Sequence, residues 1–507
     1  MLKCAYQNLI RRHEWFPVAL LLLLGCVLRL AALGSLPYGL NQDEASAGYE
    51  AFALLTEGVD RNGDSWPVLL TAWGSGQNAL LSYLAIPFVA LLGPCALALR
   101  LPLALSGCLT RPVFWLLARR TRGRFFGVTA LFFLALNPWH IMMSRWGLES
   151  NLLPFFLCVG VYLTACAPEH PRAVPGAAAF GLSLYAYGTA FFFLPLYLIA
   201  AALWLRQRVP AKQFCLALLL FLLLALPISV CQLRNALGLD ALTVFGVTLP
   251  RLTESRQAAT SVFGGGSAAE NFRTFLRILW TQSDGLSYNS PGIWRGGIFY
   301  CFGLPLAAVG FVASLLRRRD VPWEMPMRTA LLCALVCAAL VRGNINRLNM
   351  IWLPLVYFSA LGAHLVLMRL GSWAVCGVAG ALVCFLLFFS GYSRTFGGAG
   401  NVNYFPGLGE AVQYAESLDA ETVYITNQVN APYIFALFYA QVPPTVFAES
   451  VEYTNPDGAF RAVERFAGYE FVMPGDCDVL ILHWSEAAGY TVLASFGSYC
   501  VCAGGTA

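Results

Sequence analysis

Long apolar runs separated by short polar breaks fill the chain to about residue 390: 16–33, 78–92, 97–118, 125–142, 152–167, 176–187, 190–205, 214–231, 297–316, 329–341, 350–368 and 372–390. Most hold about 15–22 residues, roughly what a helix needs to cross ~30 Å of hydrocarbon. No water is present there to satisfy a bare backbone, so each run must close its hydrogen bonds within itself. The pattern therefore predicts an α-helical polytopic membrane protein. The first run follows Arg11 and Arg12 and lacks a clear small-residue cleavage site, so it reads as a retained first helix. From Tyr392 the long runs stop. TVYIT at 422–426 reads as a buried strand, Asn427 as a turn, a run from Pro432 to Ala440 as a helix, and 479–483 and 490–495 as further strands. The expected organisation is a transmembrane module over 1–391 and a small α/β domain over 392–507.

Basic clusters at Arg11 and Arg12, 119–124, 206–212, 317–319 and Arg369 belong on the cytoplasmic side by the positive-inside rule. If every run crossed, 119–124 would fall outside. The run 78–92 is short, broken by Pro87 and preceded by glycine-rich polar sequence, which suits an interfacial or re-entrant helix. With about eleven spans plus interfacial helices, every cluster falls inside and the N-terminus is cytoplasmic. The first outer loop (34–77), 144–151, the long outer loop (232–296), 342–349 and the C-terminal domain are then extracytoplasmic. Polar material gathers on one face.

Of the 507 residues, 58% are hydrophobic and 12% charged, against about one-quarter charged in a soluble domain. The formal charge of +5 comes without a block both basic and aromatic, so nucleic acid is not an expected partner. Cys26, Cys108, Cys158, Cys215, Cys333 and Cys337 lie in apolar runs and read as small hydrophobes. Cys477, Cys500 and Cys502 are available for a disulfide if their segment is exported. The glycines 264–266 read as a flexible stretch of the long outer loop.

Candidate chemistry begins with Asp43 and Glu44, adjacent at the start of a helical pattern in the first outer loop. Carboxylates in a first turn often serve only the helix dipole. The next outer segment, however, gathers Arg145 and Glu149 shortly after His140, and charges at a bundle's mouth are costly unless paired or functional. Arg145 and Glu149, four apart, are also placed to pair on one helix face. Tyr185 and Tyr187 read as an aromatic belt, and His140 as a hydrogen-bonded interfacial residue before a base.

The DE pair after the first run, YEAF…GVDRNGDSWP (49–67), RLP (100–102), NPWH…SRWGLESN (137–151) and NRLN…LP (346–354) together resemble the GT-C membrane glycosyltransferases. The likeness is to the bacterial homologues of protein O-mannosyltransferases and aminoarabinose transferases, a family 39-like group. It implies eleven to thirteen helices, a soluble outer C-terminal domain, and transfer of a sugar from a polyprenyl-phosphate donor to an acceptor on the outer face of the cell membrane. The acceptor would be a protein or glycolipid. On this resemblance Asp43 is the candidate general base, which needs a carboxylate within reach of the acceptor proton. Glu44 supports it, and Glu149 positions the acceptor or, with Asp43, holds a divalent cation. Metal use differs between branches, so a cation is left open.

The departing lipid phosphate calls for cations, and a guanidinium engages phosphate bidentately. Arg347 is the first choice, then Arg342 and Arg145, with Arg295 weaker; the competing reading is snorkelling to headgroups. Where the family often carries a Lys beside Pro-Pro-Leu, this chain has Gly74-Ser75-Gly76-Gln77-Asn78. Gln77 is able to hydrogen-bond a phosphate or sugar but not to neutralise charge. Single displacement implies inversion. The rival readings are a lipid-linked oligosaccharide transporter or flippase, which would carry charges deep in its spans, and a surface-glycan polymerase or ligase. Arg29, Arg100 and Arg111 fall inside runs but near enough to their ends to snorkel.

Overall fold

Each of the twelve apolar runs lies mostly within helix in the computed structural model. It describes residues 14–504 apart from 74, 254–260, 263–265, 286–296, 318–320, 400, 456–460 and 474–476. Arg11, Arg12, Gly264, Gly265, Arg295, Arg318 and Arg319 lie outside the described residues. The bundle comprises α1 (Trp15–Leu30), α3 (Leu80–Leu92), α4 (Ala96–Ala135), α6 (Leu153–Cys166), α7 (Ala173–Ala186), α8 (Ala190–Leu205), α9 (Ala211–Ala236), α11 (Tyr300–Leu316), α12 (Met325–Leu340), α13 (Asn349–Leu370) and α14 (Ala374–Phe396). Between them run α2 (Gln42–Thr56), the hairpin β1 (Leu69–Ala72) and β2 (Ser75–Asn78), α5 (Pro138–Ser144), the hairpin β3 (Leu242–Val244) and β4 (Val247–Leu249), and α10 (Ala268–Thr281).

Five helical stretches are long and apolar enough to cross a membrane by length and composition, and α1, α3, α7, α8 and α11 are shorter apolar helices. On α9 the side chains of Leu218, Leu219, Leu222, Leu223 and Leu226 are all exposed, and on α14 so are Val383, Leu386 and Leu387. Apolar surface of that extent needs an apolar solvent. The run 78–92 forms α3, whose 13 residues with Pro87 inside reach only about 20 Å, short of the hydrocarbon thickness. Within α4, Arg122 and Gly123 leave helical geometry, Gly123 at φ +83°, and the chain there turns from one helix into a second.

Ion pairs show which connections share an end. Arg119 and Arg124 pair with Glu14, Arg120 with Glu169, and Arg122 with Glu324. Glu324 is buried and also accepts from Ser314 Oγ (2.6 Å) and Tyr357 Oη (2.8 Å). The arginine-rich turn, the start of α1 and the connections before α7 and α12 therefore lie together at one end. Segments 37–78, 140–151 and 342–349 meet at the other.

The span arginines do not snorkel. Arg29, Arg100 and Arg111 are fully buried. Arg29 donates to the carbonyls of Gly25, Leu134 and Ala135 and to His140 Nδ1, Arg111 to the Leu22 carbonyl and Cys26 Sγ, and Arg100 to Glu44. For Arg29 the reason is local: α4 ends just before Pro138, and its last carbonyls, unpaired within the helix, offer acceptors closer than any headgroup.

After α14 come α15 (Leu408–Glu416), α16 (Tyr433–Tyr439), α17 (Pro444–Ser450) and a seven-stranded sheet. In order the sheet runs β10 (Val492–Phe496), β11 (Tyr499–Ala503), β9 (Val479–His483), β5 (Val423–Ile425), β8 (Tyr469–Glu470), β7 (Val463–Phe466) and β6 (Glu452–Tyr453). Among the described residues only β5 pairs in parallel, with β9 and β8. Cys477, Cys500 and Cys502 are free thiols.

Helices α11 and α13 cross at two glycines. A Cβ at Gly310 would lie 2.0 Å from the Phe358 carbonyl oxygen, and one at Gly362 would lie 1.9 Å from that of Leu306. Backbone cannot yield as a side-chain tip can, and small residues are what let apolar helices approach this closely. Gly310→Ala and Gly362→Ala are each expected to destabilise the fold by roughly 1–3 kcal/mol, read as a lowered melting temperature in detergent.

Candidate functional site

Helix α2 opens with a capping box: the Asn41 side chain accepts from the Glu44 N–H (2.8 Å), and Glu44 Oε2 accepts from the Asn41 N–H (3.2 Å). Glu44 is fully buried and holds more than the cap. Arg100 donates Nε–H to Oε1 (2.8 Å) and Nη2–H to Oε2 (3.1 Å), and the Gly147 N–H donates to Oε1 (2.7 Å). Arg100 directs its other N–H groups to the carbonyls of Leu33, Pro37 and Gly39. Around the axis of α2, Ala45, Tyr49 and Ala53 enter the core of the C-terminal domain, and Tyr49 Oη donates to the Val442 carbonyl (2.9 Å). Ala47 and Ala51 pack into the bundle. What remains is a polar row, Asp43, Ser46 and Glu50, at i, i+3, i+7 spacing.

The row meets the β1–β2 hairpin and the loop before it. Trp73, at the hairpin turn, donates Nε1–H to Asp43 Oδ1 (3.2 Å). Ser46 Oγ donates to Gln77 Oε1 (3.0 Å), and Gln77 Nε2 donates to Glu149 Oε2 (3.4 Å). Glu50 pairs with the Arg61 guanidinium, which also donates to Ser46 Oγ and to Tyr433 Oη (3.4 Å) and lies 5.6 Å from the Trp73 ring centroid. Tyr433 meets Trp73 edge-on at 6.0 Å. Burial pushes the Glu50 carboxyl up to about 7, Arg61 opposing the rise and Asp60 adding to it. For Arg61 burial works against the charge, but Glu50, Tyr433 and Asp60 outweigh it and hold the proton more tightly than usual.

Glu149 opens the 3-10 turn Glu149–Leu152. Beside it Asn349, the first residue of α13, donates Nδ2–H to the Ser150 carbonyl (3.0 Å) and Asn151 Oδ1 (3.0 Å) and accepts from Trp139 Nε1 (3.1 Å). Arg347, two residues earlier, is half-buried and donates from its guanidinium to the Arg342 carbonyl (3.4 Å); Arg342 is exposed.

Asp43, Gln77 and Glu149 are thus brought together through Ser46 and the hairpin, and the segment bearing Arg342 and Arg347 adjoins them through Asn349. Three other candidates face elsewhere. Glu44 is saturated inside the bundle. Arg145 is buried and donates to the carbonyls of Leu28, in the last turn of α1, and of Ala32 and Leu36 beyond it. His140 accepts from Arg29 on Nδ1 (2.7 Å), which places its own proton on Nε2. Ser46, Glu50, Arg61, Trp73 and Tyr433 enter the cluster without having been candidates. Among the described residues no group of three His, Cys, Asp or Glu side chains has metal-holding geometry.

No protein-family model and no curated protein matches the sequence. Solved structures do match the fold. ArnT from Cupriavidus metallidurans bound to undecaprenyl phosphate aligns over 96% of this chain and 97% of its own, at 13% identity and a TM-score of 0.56. Its apo state aligns over the same shares at 14% identity and 0.58. The Archaeoglobus fulgidus oligosaccharyltransferase in the apo form aligns over 86% of this chain and 65% of its own, at 14% identity and 0.51. All are GT-C glycosyltransferases.

The chain has the GT-C fold. At such low identity the likeness concerns architecture, and what a GT-C bundle does is argued from its site.

Replacing Glu44 by Ala leaves Arg100 buried without its carboxylate, and is expected to destabilise the protein by roughly 3–5 kcal/mol, measured by thermal unfolding in detergent. Glu50 carries a pH signature. Its folded carboxyl holds a proton more tightly than the ordinary value of 4.5. Its contribution to stability is therefore full below about pH 4.5 and lost as pH rises toward 7. Glu50→Gln is expected to flatten that part of the melting-temperature profile.

Proposed function

We propose that this protein is a glycosyltransferase that moves a sugar from a polyprenyl-phosphate donor to an acceptor at the outer membrane face. The observation that carries this reading is the Ser46–Gln77–Glu149 chain of hydrogen bonds, which gathers Asp43 and Glu149 at one end of a GT-C bundle. Two structures sharing the fold hold lipid phosphates: ArnT undecaprenyl phosphate, and the Archaeoglobus fulgidus AglB, with an inhibitory peptide, dolichol phosphate.

Asp43 takes the acceptor proton as the acceptor oxygen attacks the anomeric carbon, and Trp73 fixes the orientation of its carboxylate through the 3.2 Å hydrogen bond. Glu149, held by Gln77, positions the acceptor. The C–O bond to the phosphate breaks, and the departing charge is met by Arg347, with Arg342 at the rim. Glu44 is a positioning residue, since its pair with Arg100 sets the rotation of α2. Arg145 and His140 serve the packing of α1 instead of the donor. Should a divalent cation take part, Asp43 and Glu149 supply two oxygen ligands and the remainder comes from water and phosphate. One displacement inverts the anomeric centre, and retained configuration in the product would exclude this mechanism.

A lipid-linked oligosaccharide transporter would line a wet passage with its intramembrane charges. Here the span arginines are sealed against carbonyls and Glu44, which favours the enzyme. In a membrane preparation given labelled polyprenyl-phosphate sugar, Asp43→Asn is expected to reduce transfer by about 10²–10⁴-fold with an unchanged melting temperature. Undiminished transfer removes Asp43 from the mechanism.

A further inference from the structure

Helix α10 is fastened to the bundle at both of its ends. Asn271 Nδ2 donates to the carbonyl of Ala339 in the last turn of α12 (3.2 Å). Gln282, just past the helix, donates to the carbonyl of Tyr300, the first residue of α11 (2.8 Å), and accepts from the Phe299 N–H (2.9 Å). Two residues on, Asp284 Oδ2 accepts from the N–H of Ile345, in the segment that carries Arg347 (3.1 Å). A helix pinned across the ends of two apolar helices lies along the rim of the bundle at the site end.

Its side chains are sorted by angle. Asn271, Phe275 and Ile278, at i, i+4, i+7, are buried against the bundle. The adjoining flank carries Phe272, Leu276 and Trp280, at i, i+4, i+8, exposed by 37%, 49% and 84%. Next around the axis come Arg273 and Arg277, both exposed, and beyond them Glu270 and Thr281. At 100° per residue the order is bundle, apolar, basic, polar. A helix on the rim of a soluble domain would show polar residues where Phe272, Leu276 and Trp280 stand. This order is that of a helix lying in a membrane interface, with aromatic and aliphatic side chains in the acyl boundary and arginines at the phosphates.

We infer that α10 is a docking helix for the lipid leaflet at the site end, selective for anionic phospholipid, with Phe272, Leu276 and Trp280 inserted and Arg273 and Arg277 on headgroup phosphates. On the proposed topology that leaflet is the outer one, and the docked helix anchors the connection leading to Arg347 at headgroup level. Docking of this kind is independent of the glycosyltransferase reading, because its readout needs no transfer.

The full chain, in nanodiscs of phosphatidylcholine alone or mixed with phosphatidylglycerol, carries the photocrosslinker p-benzoylphenylalanine in place of Leu276 or Trp280, and in place of Phe275 as a buried comparison. Irradiation is expected to give lipid adducts at 276 and 280, with position 275 linking to α12. In the Arg273→Gln/Arg277→Gln variant, native mass spectrometry is expected to show retained phosphatidylglycerol lowered by roughly 25-fold, two arginines counting for about fivefold each. Crosslinks from 276 and 280 to protein, whether this copy or a second, would overturn the inference, as would unreacted probe at both positions or unchanged phosphatidylglycerol retention. Positions 276 and 280 and the charge variant are decisive by themselves, even if the change at Phe275 prevents folding.

Discussion

The buried pair of Glu44 and Arg100 is the constraint on which the site end of the molecule depends. An isolated carboxylate or guanidinium in that position would be prohibitively desolvated, so the pair survives only because every remaining lone pair and N–H is engaged. Glu44 receives Arg100 and the N–H groups of Asn41 and Gly147, and Arg100 reaches three carbonyls of the segment between α1 and α2. One contact thus joins α4, the start of α2 and the segment that leads to Glu149. It also fixes rotation: with Glu44 locked inward, its neighbour Asp43 is turned about 100° around the helix, toward the hairpin and away from the bundle.

The arginines of α1, α4 and α5 extend the same logic without carboxylates. Arg29, Arg111 and Arg145 are buried; Arg29 and Arg145 bond carbonyls at and beyond helix ends, and Arg111 bonds the mid-helix Leu22 carbonyl and Cys26 Sγ. Glycine makes part of the room, since a Cβ at Gly25 would overlap the Arg111 guanidinium. Arg29 and Arg145 each close several acceptors near helix ends at once, and the planar fork loses little freedom in doing so. The result stiffens the helices that carry the site while adding charge that stays hidden from any ligand.

Much of the architecture was legible because its causes are local. Run length and hydropathy bounded the helices, and TVYIT announced β5. The arginines were misjudged for an equally physical reason: charge near the end of an apolar run signals a headgroup partner only when no carbonyl is nearer, and where helix ends meet is not written in one segment. Arg145 was a candidate for the donor phosphate and bonds carbonyls at and beyond the end of α1, while His140, read as a hydrogen-bonded interfacial residue before a base, accepts from Arg29. The site was half legible. Asp43 and Glu149 announce themselves as carboxylates at a bundle's mouth, and the polar row of Asp43, Ser46 and Glu50 on an otherwise small and apolar helix was there to be read. Its partners were not. Gln77 reaches Ser46 because β1 and β2 fold back at Trp73, and Arg61 reaches Glu50 across a turn whose path no spacing specifies.

The C-terminal domain bears on the site through that last pair. Tyr433 begins α16, accepts from Arg61 and packs edge-on against Trp73, the residue that holds Asp43. The same domain takes the Ala45, Tyr49 and Ala53 face of α2 into its core. Helix α2 is therefore shared between two hydrophobic cores, and only the side bearing Asp43, Ser46 and Glu50 belongs to neither. A shift of the domain relative to the bundle would have to move Tyr433 against Trp73 and Arg61, and so alter the two contacts that orient Asp43 and Ser46. The domain is coupled to the carboxylates by packing, whatever it binds on its other faces.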